Sequence, residues 1–249
     1  MAVRNETELI REIERLRMEL ARRERECSDP ERERDRYADL HDAFTQERIR
    51  SQELKRSYMA TVRAFSNAVE ARAGYAGKHA ERATAYAMEI VRALGISLSE
   101  TAEIEFGFLL HDIGKVAIPD AILFKSGALT EEEQALMRQH PLIGAQIVRG
   151  IDFLRAAVDV IYSHHERWDG QGYPDGLIGE QIPVAARVFA VADVLDALTT
   201  NRPYRPASPF SAAREIITGQ AGAQFDPRVV EAFNLVADST FEQIRAQIG

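Results

Sequence analysis

Residues 164 to 174 read HHERWDGQGYP: two adjacent histidines, a Glu-Arg pair, the chain's only tryptophan, two glycines and a Gly-Tyr-Pro turn. A stable core does not need that mixture. Other histidines stand at equally unusual points: His79 within a helical pattern, His111 beside Asp112, and His140 ahead of Pro141. Asp193 lies in FAVADVLDAL, flanked by Ala190, Val191, Val194 and Leu195. A carboxylate on so apolar a segment is costly to bury unless it is paired or metal-bound; the alternative is an exposed stripe. Asp196, one turn on, either supports the same site or faces water. An imidazole offers one nitrogen to one metal, whereas a carboxylate has two oxygens and can bridge two. Histidines with one or two aspartates suit Fe, Mn or Zn better than Mg or Ca, which prefer all-oxygen shells. A lone His-Asp pair is weak evidence, and any single histidine can equally be a hydrogen-bonded core residue. The five together point to a metal centre.

Helices must carry these side chains, and the pattern from about residue 58 onward predicts an all-α domain. GKHAERATAYAMEIVRALG is amphipathic, with Gly95 placed to end it. Ser97 and Glu100 predict a capping box for the next helix, as do Thr130 and Glu133 for a later one. Ser208 ahead of Pro209 predicts a further cap, and FDPRVVEAF another helix start. Leu109 and Leu110 bring the chain into the core, His111 and Asp112 project roughly 100° apart, and Gly114 is expected to let the chain leave in a left-handed turn. Residues 166 to 182, rich in glycine and proline, are expected to be irregular. Strand signals are nearly absent.

Residues 1 to 57 differ in kind. They hold 14 Lys/Arg and 15 Asp/Glu and no glycine. Leu9, Ile13, Leu16 and Leu20 step at heptad spacing, and Tyr37, Leu40, Phe44, Leu54, Tyr58 and Phe65 continue a weak seam. Two readings stand: a solvated single helix, or a parallel coiled coil that makes a homodimer and joins the domain to a signalling partner. Pro30 marks either a break or a helix start after Ser28 or Asp29. His41 has no assigned role. With Cys27 the only cysteine, no internal disulfide is possible, and a reducing, cytoplasmic setting is expected. MAVRNETELI lacks the apolar stretch of a signal peptide. The longest apolar-rich run, IPVAARVFAVADVLDAL, is interrupted by Arg187, Asp193 and Asp196, which predicts a buried helix and no membrane span. A net charge of −8 argues against binding polymeric nucleic acid. It leaves room for a small anion where metals or a few arginines make a local positive pocket.

In order, AVEARAGYAGKH (68–79), LLHDIGKVAIPDAIL (109–123), HPLIGAQIV (140–148), HHERWDGQGYPDGLIGEQIP (164–183), ARVFAVADVLDALTTNRPYR (186–205) and GAQFDP (222–227) resemble the HD-GYP subgroup of the HD phosphohydrolase superfamily. The resemblance covers roughly residues 60 to 237. It implies an HD-type helical bundle that hydrolyses cyclic di-GMP to pGpG, in some members onward to GMP, by attack of a hydroxide held between two metal ions. The implied ligands are His79, His111, Asp112, His140, His164, His165 and Asp193. Asp112 would bridge, His111 and Asp193 would hold one ion, and His140 and His164 the other. His79 and His165 would be either direct ligands or orienting groups. Lys115 would face a phosphate, and Tyr173, Pro174, Arg202 and Arg205 would border the nucleotide. The implied cofactors are two divalent transition-metal ions, Fe or Mn, with Zn, Ni or Co as alternatives. Tyr75 stands where some members carry a glutamate for a third metal, so two ions are expected. Ala73, Gly74, Gln171 and Asn201 also depart from the common pattern without removing a ligand, and bear on affinity for the guanine ends. Two other functions fit the same motifs: a catalytically weak cyclic di-GMP receptor, or an HD hydrolase of another cyclic dinucleotide.

Overall fold

Helices account for every long element of the computed structural model, which describes residues 6–27, 30–73, 78–96, 98–201 and 206–248. They are α1 (Glu6–Cys27), α2 (Pro30–Arg72), α3 (His79–Ala93), α4 (Leu98–Leu110), α5 (Asp120–Leu123), α6 (Glu131–Met137), α7 (His140–Val148), α8 (Ala157–Ser163), α9 (Val184–Thr199), α10 (Phe210–Thr218), α11 (Pro227–Leu235) and α12 (Asp238–Ile248). Among the described residues there is no strand, only two isolated bridges, Asp169 with Ile178 and Ala221 with Phe225.

The chain divides into two units, Met1–Ser57 and Tyr58–Gly249. In the first, Ile13, Leu16 and Leu20 on α1 and Tyr37, Leu40, Phe44 and Leu54 on α2 are all exposed. In the second, α9 is the central element. It packs on α3, α8, α10 and α11, and Tyr86, Ile90, Phe189, Leu195, Phe233 and Phe241 are fully buried around it. A smaller cluster holds Val62 of α2, Phe106 and Leu109 of α4, and Ile161 of α8. Beside it Tyr58 stacks on Phe153 at 4.1 Å. Each such side chain contributes about 1.5–3 kcal/mol when removed from water, so α9 sits in the best-supported part of the molecule.

Three of the expected helix signals are seen in the cap geometry. Thr130 and Glu133 form the reciprocal box at α6, Asp226 accepts from the Arg228 amide at α11, and Gly95, at φ +74°, follows the end of α3. Two expectations are corrected. Ser208 does not cap α10: Pro209 occupies that position, and the Ser208 amide is spent on the Leu198 carbonyl at 2.9 Å. Gly114 is not left-handed. It is needed for close approach, since a Cβ there would lie 1.9 Å from the His140 carbonyl oxygen. Ser97 lies outside the described residues, and with it the capping box expected at α4.

Candidate metal centre

The donor side chains come mostly from helix ends. His79 opens α3, His111 and Asp112 follow α4, His140 opens α7, His164 and His165 follow α8, and Asp193 projects from the middle of α9. A helix end leaves its carbonyls without intrahelical partners, and the histidines use them. Nδ1 of His111 lies 2.9 Å from the Phe108 carbonyl, that of His140 2.8 Å from Met137, and that of His164 2.9 Å from Ile161. A carbonyl only accepts, so each Nδ1 carries a proton, and in the neutral imidazole Nε2 is left to present its lone pair.

Those lone pairs converge. Nε2 of His140 and Nε2 of His164 are 3.3 Å apart, a repulsive arrangement unless a proton or a metal cation lies between them. Two imidazoles bound at about 2.0–2.1 Å to one ion have nitrogens at about that separation. The carboxylate of Asp112 divides its oxygens: Oδ1 faces His140 at 3.2 Å and His164 at 4.0 Å, and Oδ2 faces His111 at 3.3 Å. The donors form two groups, Asp112 with His140, His164 and His165, and His79 with His111 and Asp193. Within each group all donor atoms lie within 4.8 Å of one another. The cluster is able to bind metal ions.

The electrostatics agree. Burial and the neighbouring histidines push His164 well below the usual imidazole range and His165 down to about 4, so both stay neutral. Burial opposes ionisation of Asp112, but Lys115, His111 and His140 outweigh it and hold the carboxyl well below its usual range. Asp193 is likewise depressed despite burial, chiefly by His79. Burial works against a proton on His79, yet Asp193 and Asp196 raise it to about 10. Lys115 Nζ is 2.6 Å from Asp112 Oδ2.

Asp196 is buried and does not face water. It meets His79 Nδ1 at 2.7 Å and takes Arg82 Nε at 2.7 Å. Arg82 is not singled out by the sequence, where its only signal is its place one turn after His79. His79 Nε2 faces Asp193 Oδ1 at 3.2 Å.

The Gly-Tyr-Pro loop is fastened from inside. The buried carboxylate of Glu166 accepts three backbone amides, Asp175 at 2.8 Å, Gly176 at 3.1 Å and Leu177 at 3.0 Å. Gly172 lies so close to the chain before it that a Cβ would sit 2.4 Å from the Arg167 amide. Trp168 is tied to the Gln224 carbonyl through its amide and lies against Arg187. Pro174 follows a cis peptide. The Tyr173 ring stacks on His165 at 4.7 Å, with the Arg138 guanidinium 5.4 Å from its centroid. Burial pushes the Tyr173 hydroxyl up to about 12. A cleft of 270 Å³ opens here, lined by His165, Tyr173, Asp193, Arg138, Arg167 and Gln171 among others. Arg138, a second residue that sequence motifs do not single out, brings positive charge to its wall.

All seven expected donors, Lys115 and Tyr173 are therefore gathered at one site. Arg202, Arg205 and Tyr75 lie outside the described residues. Asn201 serves the backbone, its Oδ1 accepting the Ala207 amide at 2.8 Å. Among the described residues no helix is long and apolar enough to cross a membrane.

A family profile described as HD domain matches residues 63–229. Over 189 residues the chain is 43% identical to the cyclic di-GMP phosphodiesterase response regulator RpfG of Xanthomonas campestris pv. campestris, covering 75% of this chain and 50% of that one. Over 169 residues it is 40% identical to the 3'3'-cGAMP-specific phosphodiesterase 2 of Vibrio cholerae, covering 67% and 32%. The chain thus spans half or less of these relatives. A solved structure of a cyclic GMP-AMP specific phosphodiesterase of V. cholerae, V-cGAP3, superposes with a TM-score of 0.56 at 22% identity, covering 74% of this chain and 52% of that one. That likeness shows the fold.

Proposed function

Because the chain belongs to the HD-domain family, we propose that it is a metal-dependent phosphodiesterase that opens cyclic di-GMP to pGpG. One observation carries this reading: the two oxygens of Asp112 face two different histidine groups, the placement a bridging carboxylate needs. His79, His111 and Asp193 would hold one ion and His140, His164 and His165 the other. The donor chemistry favours Fe or Mn. Such a pair supplies an activated water and neutralises phosphoryl charge.

The chain's own groups do the rest. Lys115 holds its ammonium beside Asp112, where it offsets charge developing on a phosphoryl oxygen. Arg138 draws an anion into the cleft of an otherwise acidic protein, whereas Arg167 is paired through two hydrogen bonds with Asp169. Tyr173, with its hydroxyl raised to about 12, remains a hydrogen-bond donor at neutral pH, and Arg202 and Arg205 would extend the rim. The exposed apolar track of the first unit fits a parallel coiled coil between two copies, through which a signalling partner acts. The single cysteine fits a cytoplasmic setting.

A second reading is favoured by the 40% identity to a 3'3'-cGAMP-specific enzyme: the mixed dinucleotide is the substrate. The deciding assay incubates the purified chain with Mn(II), or anaerobically with Fe(II), and cyclic di-GMP, 3'3'-cGAMP or cyclic di-AMP, and resolves the products by chromatography. Preferential conversion of cyclic di-GMP to pGpG is expected. Turnover of 3'3'-cGAMP alone supports the second reading, and tight binding without turnover makes the protein a receptor.

A further inference from the structure

Glu70 and Arg72 lie two residues apart at the end of α2. Positions i and i+2 of a helix project about 200° apart, so the two side chains reach different neighbours. Glu70 is buried, and its Oε1 accepts the Ala80 amide at 2.5 Å. That amide belongs to the first turn of α3, whose N-cap residue, Lys78, sits at φ +59° and provides no side-chain cap. The carboxylate of one helix thus satisfies an amide that another leaves without a partner. Arg72 turns the other way. Its Nη1 donates to the carbonyls of Lys115, at 3.0 Å, and Val116, and its Nη2 to the Ile118 carbonyl at 3.0 Å and Asp120 Oδ1 at 2.9 Å. The Lys115 carbonyl also accepts the Ile118 amide, which closes the 3₁₀ turn Ile113–Ala117, and that turn begins directly after Asp112.

We propose that Glu70 and Arg72 are positioning residues of the metal centre: the last turn of α2 sets the spacing between the segment bearing His79 and the segment bearing Asp112 and Lys115. His79 is adjacent to the amide that Glu70 holds, and Lys115 owns one of the carbonyls that Arg72 holds. Donor atoms must be kept within about 0.5 Å of their working geometry, and the N-cap residue of α3 supplies no side-chain cap of its own. The inference rests on the reading of these side chains as metal ligands.

The test is Mn(II) titration of the metal-free full chain, followed by electron paramagnetic resonance, with circular dichroism as the fold control. Arg72→Ala and Glu70→Ala are each expected to weaken Mn(II) binding about 10–100-fold with the helical signal retained. Glu70→Gln keeps an acceptor oxygen for the Ala80 amide and should bind as wild type does. Arg72→Lys, able to reach only part of the carbonyl set, should fall between wild type and Arg72→Ala. Wild-type affinity in both alanine variants overturns the proposal, as does a Glu70→Gln variant as weak as Glu70→Ala. Should Arg72→Ala unfold, Arg72→Lys decides: reduced affinity supports the brace and unchanged affinity refutes it. Mn(II) binding is read without substrate, so failure of every form to cleave a cyclic dinucleotide counts against the proposed function and leaves this result intact.

Discussion

Lys115 Nζ lies 2.6 Å from Asp112 Oδ2, the oxygen that also faces His111 Nε2 at 3.3 Å. One carboxylate oxygen thereby meets both the proposed metal ligand His111 and Lys115, the residue proposed to face the phosphate. Lys115→Ala should retain both metals and lower kcat about 10²–10³-fold, the usual cost of losing one group that stabilises transition-state charge. Metal content and steady-state kinetics on the same preparation check this; wild-type kinetics would remove Lys115 from the site.

Asp112→Ala removes the side chain whose two oxygens face the two histidine groups. Wild type should carry two metals per chain, and the variant should lose or scramble both and cease turnover while keeping its helical spectrum. Elemental analysis settles the point: near-normal metal in the variant argues against bridging, and three per chain in active wild type argues against the expectation drawn from Tyr75.

His79, raised to about 10 by Asp193 and Asp196 against the effect of burial, carries its proton at neutral pH. A metal at Nε2 must displace that proton, so affinity should rise with pH in the range below about 10. His164 and His165 are held neutral and Asp112 and Asp193 ionised, so none of these four contributes a proton. Calorimetry at about pH 7.5 in buffers of different ionisation heat should show about one proton fewer released from His79→Gln than from wild type. Equal release from His79→Gln would make His79 an orienting group only.

Glu166 accepts three amides of the Gly-Tyr-Pro loop from a buried position. Glu166→Ala should cost about 3 kcal/mol in urea unfolding and raise KM, because Tyr173 loses its frame. Glu166→Gln, which retains one acceptor, should cost less. A variant as stable as wild type would show that the loop is held by its contacts with residues 223 and 224.

Phe44 and Leu40 are exposed on α2 at seam positions. Wild type should sediment as a dimer, and Phe44→Arg combined with Leu40→Arg should sediment as a monomer with an unchanged catalytic-unit spectrum. A monomeric wild type would leave the solvated single helix as the reading of residues 1 to 57.

Much of the candidate metal centre was legible because metal chemistry admits few residue types, and imidazoles at several segment ends together with Asp193 in an apolar helix match them. The helical class was legible because caps such as Thr130–Glu133 are local. Asp196 was not legible, since one turn beyond Asp193 fits a solvent-facing carboxylate equally well. The reason for Gly114 was hidden, because its need for hydrogen in place of a side chain comes from His140, 26 positions away in the chain. Glu70 and Arg72 stand in the AVEARAGYAGKH run that carries the resemblance, but what they hold was hidden, as their partners lie in other segments.

The order of residue types by itself determined which side chains can bind a metal and that helices present them. Only the tertiary structure decided which oxygen of Asp112 faces which histidine, that Asp196 holds His79, and that His165 lies against Tyr173. These are distances of 2.7–4.7 Å between atoms mostly carried on separate helices. They follow from how α3, α4, α7, α8 and α9 pack, and packing depends on the shapes of whole helix faces, which no local run of residues specifies.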